Sequence, residues 1–202
     1  MTMIEESRVP HITRESLLTL EAYSRARKDF RASVLEHKKA RTVHLGEHLT
    51  LLFEDELTIR YQIQEMLRVE KTFEEAGIQD ELDAYNPLIP DGTNWKATLL
   101  IEYEDIAERR AALAALKGIE DRIWVQVAGH PRVFAIADED LERENAEKTS
   151  SVHFVRLELT PEMIAALKRD AALAMGADHP AYEFTLAPVP EVVRQALAAD
   201  LA

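Results

Sequence analysis

Cysteine is absent from the 202 residues, which excludes disulfides, thiolate-held iron–sulfur clusters and cysteine nucleophiles within this chain. Glycine is sparse, with 6 residues scattered singly. Neither Gly-x-Gly-x-x-Gly nor the Walker spacing can be built from them, so nucleotide-binding classes that need a glycine-rich phosphate loop are disfavoured. Positive charge is in short supply: 24 Lys and Arg face 37 Asp and Glu, for a formal net charge of −13 and a pI near 5.0. Duplex nucleic acid and anionic lipid are disfavoured as general partners by that balance. No apolar run approaches the length of a membrane span. The first residues carry acids where a signal peptide needs bases and have no apolar stretch behind them, so the expected location is cytoplasmic.

What is present is an ordinary globular composition, 47% hydrophobic and 30% charged. The length suits one domain over 1–202, with a soft boundary near 86–94 between a helical first part and a sheet-rich second part. Charge is uneven along the chain. Arg25, Arg27, Lys28, Arg31, Lys38, Lys39 and Arg41 outnumber Asp29 and Glu36, so a window of +5 sits in a remainder of −18. That window reads either as a solvated helix face or as a docking surface for an acidic partner, another copy of the chain included.

Periodicity predicts a first helix over 14–40 capped by Thr13, with Leu20, Tyr23, Phe30 and Val34 as its buried stripe. Thr42–Leu45 and His48–Phe53 form a hairpin turning at Gly46-Glu47. A second helix, capped by Asp55, runs to about Glu75 and stops at Gly77. A short helix over 78–84 leads into the Pro-rich loop 86–94. Then follow a strand over 97–103, an Ala-rich helix over 104–117 and a hairpin of 123–127 with 132–137. The C-terminal part reads as a strand over 152–159, a helix from Thr160 to Met175, a strand over 182–187 and a helix over 190–201. The expected class is α+β: N-terminal helices and a β-hairpin, then a mixed, partly antiparallel sheet with helices largely on one face.

Two constellations carry chemistry. His44 and His48 flank the hairpin turn with Glu47 between them, a legitimate partial ligand set for zinc or another divalent ion, or else two hydrogen-bonded histidines. On the second helix, Arg60, Gln64 and Arg68 follow at i, i+4 and i+8, with Tyr61 and Glu65 beside them. Such a face can grip a carboxylate or phosphate; equally, Glu65 can pair with Arg68 as an ordinary polar face. No histidine has an acid three residues before it, so the di-iron helix motif is missing. The acidic run Asp138, Glu139, Asp140, Glu142 and Glu144 lacks the glycine of a calcium loop. Ser150 and Ser151 precede His153 without forming a triad by adjacency. Trp95 and Trp124 read as packing residues. No cofactor is expected.

The runs 49–55 (Leu-Thr-Leu-Leu-Phe-Glu-Asp) and 60–68 (Arg-Tyr-Gln-Ile-Gln-Glu-Met-Leu-Arg), with 85–92 and 97–102, resemble a bacterial family catalogued as domain of unknown function 3501. The resemblance spans about 17–191. It implies no catalytic residue, because the family has no assigned activity. It does imply an accessory role in a redox or peroxide-response setting, beside rubrerythrin-like or iron–sulfur oxidoreductase proteins. Three functional expectations stand together: a non-catalytic accessory protein binding an anionic ligand or acidic segment through Arg60, Tyr61, Gln64, Glu65 and Arg68; a metal-assisted enzyme using His44, Glu47, His48 and Glu65; and a structural homo-oligomer.

Overall fold

The computed structural model describes residues 11–140, 143–145 and 147–202. After a 3-10 turn over Arg14–Ser16, α1 spans Leu20–Lys39, and β1 (Thr42–Leu45) and β2 (Leu49–Phe53) form the hairpin. Helices α2 (Glu56–Glu70) and α3 (Glu75–Tyr85) follow, then a 3-10 turn over Asn86–Leu88, β3 (Asn94–Ile101) and α4 (Ile106–Ala115). A 3-10 turn over Ile119–Arg122 precedes β4 (Ile123–Val127), β5 (Val133–Phe134), β6 (Ile136–Ala137) and β7 (Val152–Glu158). Last come α5 (Pro161–Leu167), β8 (Leu173–His179), β9 (Tyr182–Leu186) and α6 (Glu191–Ala199).

The class is α+β. Its strands divide into two sheets, ordered β1-β2-β3-β7-β6 and β5-β4-β8-β9, with antiparallel pairing throughout. Both sheets turn their apolar faces to one core. Leu51, Phe53, Trp95, Leu99 and Leu157 meet Ile123, Val125, Leu173 and Met175 there, and α4, α5 and α6 add Leu113, Leu167 and Leu197. A second cluster of Ile12, Leu17, Ile59, Ile63, Leu67, Ile78, Leu82 and Ile89 belongs to the helical first part. Among the described residues no helix is long and apolar enough to cross a membrane.

Several expected boundaries move, each for a local reason. Helix α1 starts at Leu20 because Gln64 holds the Leu18 backbone in place. The Gln64 amide accepts from the Leu18 N–H at 2.7 Å and donates to its carbonyl at 3.3 Å, and Thr19 supplies the cap. Thr13 caps only the preceding 3-10 turn. Helix α2 stops at Lys71 in the left-handed region (φ 55°), and Gly77 lies inside α3. The expected 123–137 hairpin divides: β4 pairs with β5, but β6 crosses to pair with β7 in the other sheet.

The largest departure follows Leu167. The run expected to continue the helix to Met175 instead turns at 168–170, with Asp170 at φ 64°, and enters β8, the strand between β4 and β9, at Leu173. Helical propensity yields here to the sheet. Gly176 is not a helix stop. It faces Trp124 across the β4–β8 pair, and a Cβ there would run into the Phe184 carbonyl and the Trp124 ring.

Candidate functional site

Alternation along β3 and β7 sorts their side chains. Trp95, Ala97, Leu99 and Ile101 point to the core with His153, Val155 and Leu157, while Lys96, Thr98 and Leu100 share the opposite face with Phe154, Arg156 and Glu158. Register places Lys96 directly across from Arg156 and Thr98 across from Phe154. The 3-10 turn after α3 brings Pro87 and Leu88 over this outer face, and Glu139 and Asp140 close the other side. The result is a cleft of about 470 Å³ with Pro87, Leu88 and Phe154 as apolar walls and Glu54, Lys96 and Arg156 on its floor.

Most polar groups in this cleft hold one another. Arg156 makes a bidentate pair with Glu139 at 2.8 and 2.9 Å and a further contact with Glu158 at 2.5 Å. The guanidinium of Arg156 holds the Glu139 carboxyl below the usual carboxylate range. Glu54, at 8% exposure, accepts from Thr58 at 2.5 Å and Thr98 at 2.6 Å. Lys96 differs. Its ammonium donates to the Pro87 carbonyl at 2.6 Å and makes no ion pair among the described residues. Burial pushes its pKa down, Asp91 opposes that shift, and the nearby Arg156 adds to it.

The residues singled out from sequence stand elsewhere. Gln64 is buried against Leu18 and serves the backbone. Glu65 is a hub: it takes a bidentate contact from Arg27 at 2.7 and 2.9 Å, the Tyr23 hydroxyl at 2.7 Å, and Arg68 at 3.3 Å. Arg27 above all holds its pKa down to about 2, and burial opposes that. Arg60 pairs with Glu56 at 2.8 Å, and its Nε is buried without a hydrogen-bond partner. Tyr61 lies edge-on to Phe30, with Lys38 over its ring. Both helix arginines are thus neutralised by carboxylates of α2 itself. Much of the basic window is also paired internally: Arg25 with Glu21, Lys39 with Glu36, Arg27 with Glu65. Arg41 is buried between Asp200 and the carbonyls of Phe53 and Glu54.

The hairpin histidines have separate partners. His44 Nδ1 lies 3.0 Å from the Thr50 hydroxyl, which donates to Glu102 at 2.6 Å. His48 hydrogen-bonds the Glu102 carbonyl at 2.9 Å and stacks on Tyr103 with centroids 3.8 Å apart. Among the described residues, His44, Glu47 and His48 do not bring three ligand atoms within 4.8 Å of one another; Glu120, Asp138 and His153 do.

That last cluster lies behind the cleft, on the core side of β7. His153 is fully buried. Its Nδ1 meets Asp138 Oδ2 at 2.6 Å, and its Nε2 meets the Thr149 hydroxyl and the Ser150 carbonyl, each at 3.0 Å. Asp138 also accepts from the Phe154 N–H at 3.1 Å and from Arg143 at 3.0 Å, and it sits at φ 49° where β6 ends. Burial pushes the Glu120 carboxyl above its ordinary pKa; a backbone hydrogen bond and the nearby His153 oppose this. Of the acidic run, Glu142 lies outside the described residues. Glu139 and Asp140 enter ion pairs with Arg156 and Arg143, while Glu144 accepts from the Gly118 N–H.

Neither assembly was reachable from the motifs. The strand alternation of Lys96 and Thr98, and of Phe154 and Arg156, was readable, but the β3–β7 pairing that joins them was not. His153 stood in phase with Val155 and Leu157, a usable sign that it faces inward.

Residues 11–201 match the family described as "Protein of unknown function (DUF3501)". No curated protein matches the chain. A crystal structure of a "novel protein of unknown function" from Burkholderia pseudomallei K96243 is 58% identical with a TM-score of 0.92, and the alignment covers 96% of this chain and 100% of that one. With a match over nearly its whole length and so similar a solved relative, the chain belongs to the DUF3501 family.

Proposed function

We propose that this protein binds a small organic anion with an apolar body, and that the cleft between the 86–94 loop and the outer face of β3 and β7 is where it does so. One observation carries the reading: Lys96 presents a partly buried ammonium, free of any ion pair among the described residues, inside an apolar-walled cleft. A cation half withdrawn from water, with Asp91, Glu139 and Glu158 near it but none paired to it, gains from an anionic ligand a direct partner that the fold does not give it. The cleft volume of about 470 Å³ falls in the range of small-molecule sites. Leu88 and Phe154 would cover the ligand's apolar part.

The reading is of binding rather than turnover. Glu54 and Arg156, the other charged groups on the floor, are already committed to Thr58, Thr98, Glu139 and Glu158. It keeps the anionic ligand of the sequence expectation and moves the contact from the α2 face to Lys96 beside the 86–94 loop. Service to a redox partner, implied by the family resemblance, is compatible with such a ligand carrier; capture of rubrerythrin-like proteins by the full chain would support it.

The test is fluorescence titration with 8-anilinonaphthalene-1-sulfonate, an anion with an apolar body. The expected result is saturable 1:1 binding, weakened about tenfold or more in K96M and retained in an R60Q/R68Q double variant. Binding indifferent to K96M, or lost in R60Q/R68Q, would return the site to the α2 face.

A further inference from the structure

The fully buried side of β7 holds a constellation that the proposed ligand cleft does not use. His153 comes from β7, Glu120 from the 3-10 turn before β4, and Thr149 and Ser150 from the segment entering β7. Asp138 closes the set from the end of β6. Exposures are 0% for His153, 1% for Thr149 and 6% for Glu120.

Proton accounting makes the set unusual. Asp138 accepts from an arginine and a backbone N–H, and in the tautomer with the hydrogen on Nδ1 it accepts from His153 as well. Nε2 then presents a lone pair. Facing it are the lone pairs of the Ser150 carbonyl at 3.0 Å and of Glu120 Oε2 at 3.8 Å. The Thr149 hydroxyl lies between them, 3.0 Å from Nε2 and 3.3 Å from Glu120, with one hydrogen to give. One hydrogen cannot satisfy three converging acceptors in a dry interior. A second hydrogen or a cation is required: a proton on Nε2 or on the Glu120 carboxyl, or a metal ion.

The geometry has room for a cation. Nε2, Thr149 Oγ1 and Glu120 Oε2, separated by 3.0, 3.3 and 3.8 Å, lie on a circle whose radius is about 2.0 Å, the bond length of first-row divalent ions to nitrogen and oxygen. A carboxylate on Nδ1 with the metal on Nε2 is the usual arrangement of a ligating histidine and its orienting partner. A crevice of about 320 Å³ lined by Glu120, Asp138, Arg143 and Glu144 opens beside the cluster.

We propose that His153 Nε2, Glu120, the Thr149 hydroxyl and the Ser150 carbonyl form a binding site for one first-row divalent ion, with Asp138 as its positioning carboxylate. One imidazole with oxygen donors and no sulfur suits zinc, manganese or ferrous iron. The ion ties Thr149 and Ser150 to His153 of β7 and to Glu120 of the turn before β4, whatever occupies the Lys96 cleft.

The experiment titrates chelator-treated full-length protein with Zn²⁺ by calorimetry and with Co²⁺ by visible absorption. One equivalent of either ion should bind, with d–d bands for Co²⁺ and a raised melting temperature. E120Q should weaken binding about tenfold or more, and D138N by about 10–100-fold. H153Q should abolish it; should H153Q fail to fold, the isosteric E120Q decides. Absence of stoichiometric binding to the wild type overturns the site, as does full affinity in folded E120Q. A proton on His153 Nε2 in the zinc-treated protein, seen by ¹⁵N NMR, would do the same. None of these outcomes depends on K96M or on the sulfonate probe.

Discussion

Lys96, opposite Arg156 on the paired strand, donates to the Pro87 carbonyl at 2.6 Å, so the strand and the loop that frame the cleft are joined through an ammonium that has no ion pair among the described residues. Its charge is a cost to the fold. Because burial lowers its pKa, the unfolded chain holds that proton more tightly than the folded one. Wild-type stability should therefore rise as pH climbs from the folded pKa to the ordinary lysine value near 10.4. Lys96→Met should remove that slope and leave stability at pH 7 unchanged or higher by up to about 1 kcal/mol, while weakening ligand binding. Urea denaturation of both proteins at pH 7 and pH 10 checks this; equal slopes would remove the burial argument.

Glu65 behaves with the opposite sign. With its folded pKa held near 2, its ion pairs support the fold fully above the unfolded value near 4.3 and lose that support as pH falls towards 2. Glu65→Gln should cost about 1–3 kcal/mol at pH 7 and much less at pH 2.5. Chemical denaturation at the two pH values reads the difference directly.

Gln64 separates a structural role from a ligand-binding one. Its amide makes two contacts with the Leu18 backbone, so Gln64→Ala should leave a backbone N–H without its partner and destabilise by about 1–3 kcal/mol. Thermal melts of the variant check the loss. A melt equal to wild type would leave Gln64 available to a ligand on the α2 face.

Gly176 tests the strand assignment. Gly176→Ala would force a methyl against the Phe184 carbonyl and the Trp124 ring, at a cost of about 2–4 kcal/mol. Gly118→Ala, at φ 76° with open space around its Cβ position, should cost about 1 kcal/mol for backbone strain alone. Were 160–175 one helix stopped at Gly176, both changes would cost only the left-handed backbone strain and the two costs would be similar.

These cases show what was legible in the sequence. Helices α2 and α6, the β1–β2 hairpin and the α+β class follow from periodicity, caps and the Gly46 turn, all local signals. The run 168–176 carries helical propensity in its alanines, whereas the place of 173–176 between β4 and β9 is set by partners 46 or more positions away in β4 and by the β9 hairpin on the other side. The spacing of Arg60, Gln64 and Arg68 along one helix side is legible, but Gln64 is buried while the two arginines are part-exposed. What they bond to could not be read, since Glu65 draws Arg27 from α1 and Gln64 draws Leu18 from the chain before it. The cleft and the His153 cluster stayed hidden for the same reason. Both exist only once β3, β6 and β7 are paired.

The central claim is that Lys96 awaits an anion, and the most direct test follows its own titration. NMR of protein labelled with ¹³C-lysine at Cε, recorded across pH with and without saturating octanoate, should show Lys96 titrating below the other lysines in the free protein. On octanoate binding its pKa should rise towards or above the ordinary lysine value, with the remaining lysines unmoved. A Lys96 titration identical with and without octanoate, in protein shown to bind it, would contradict the account.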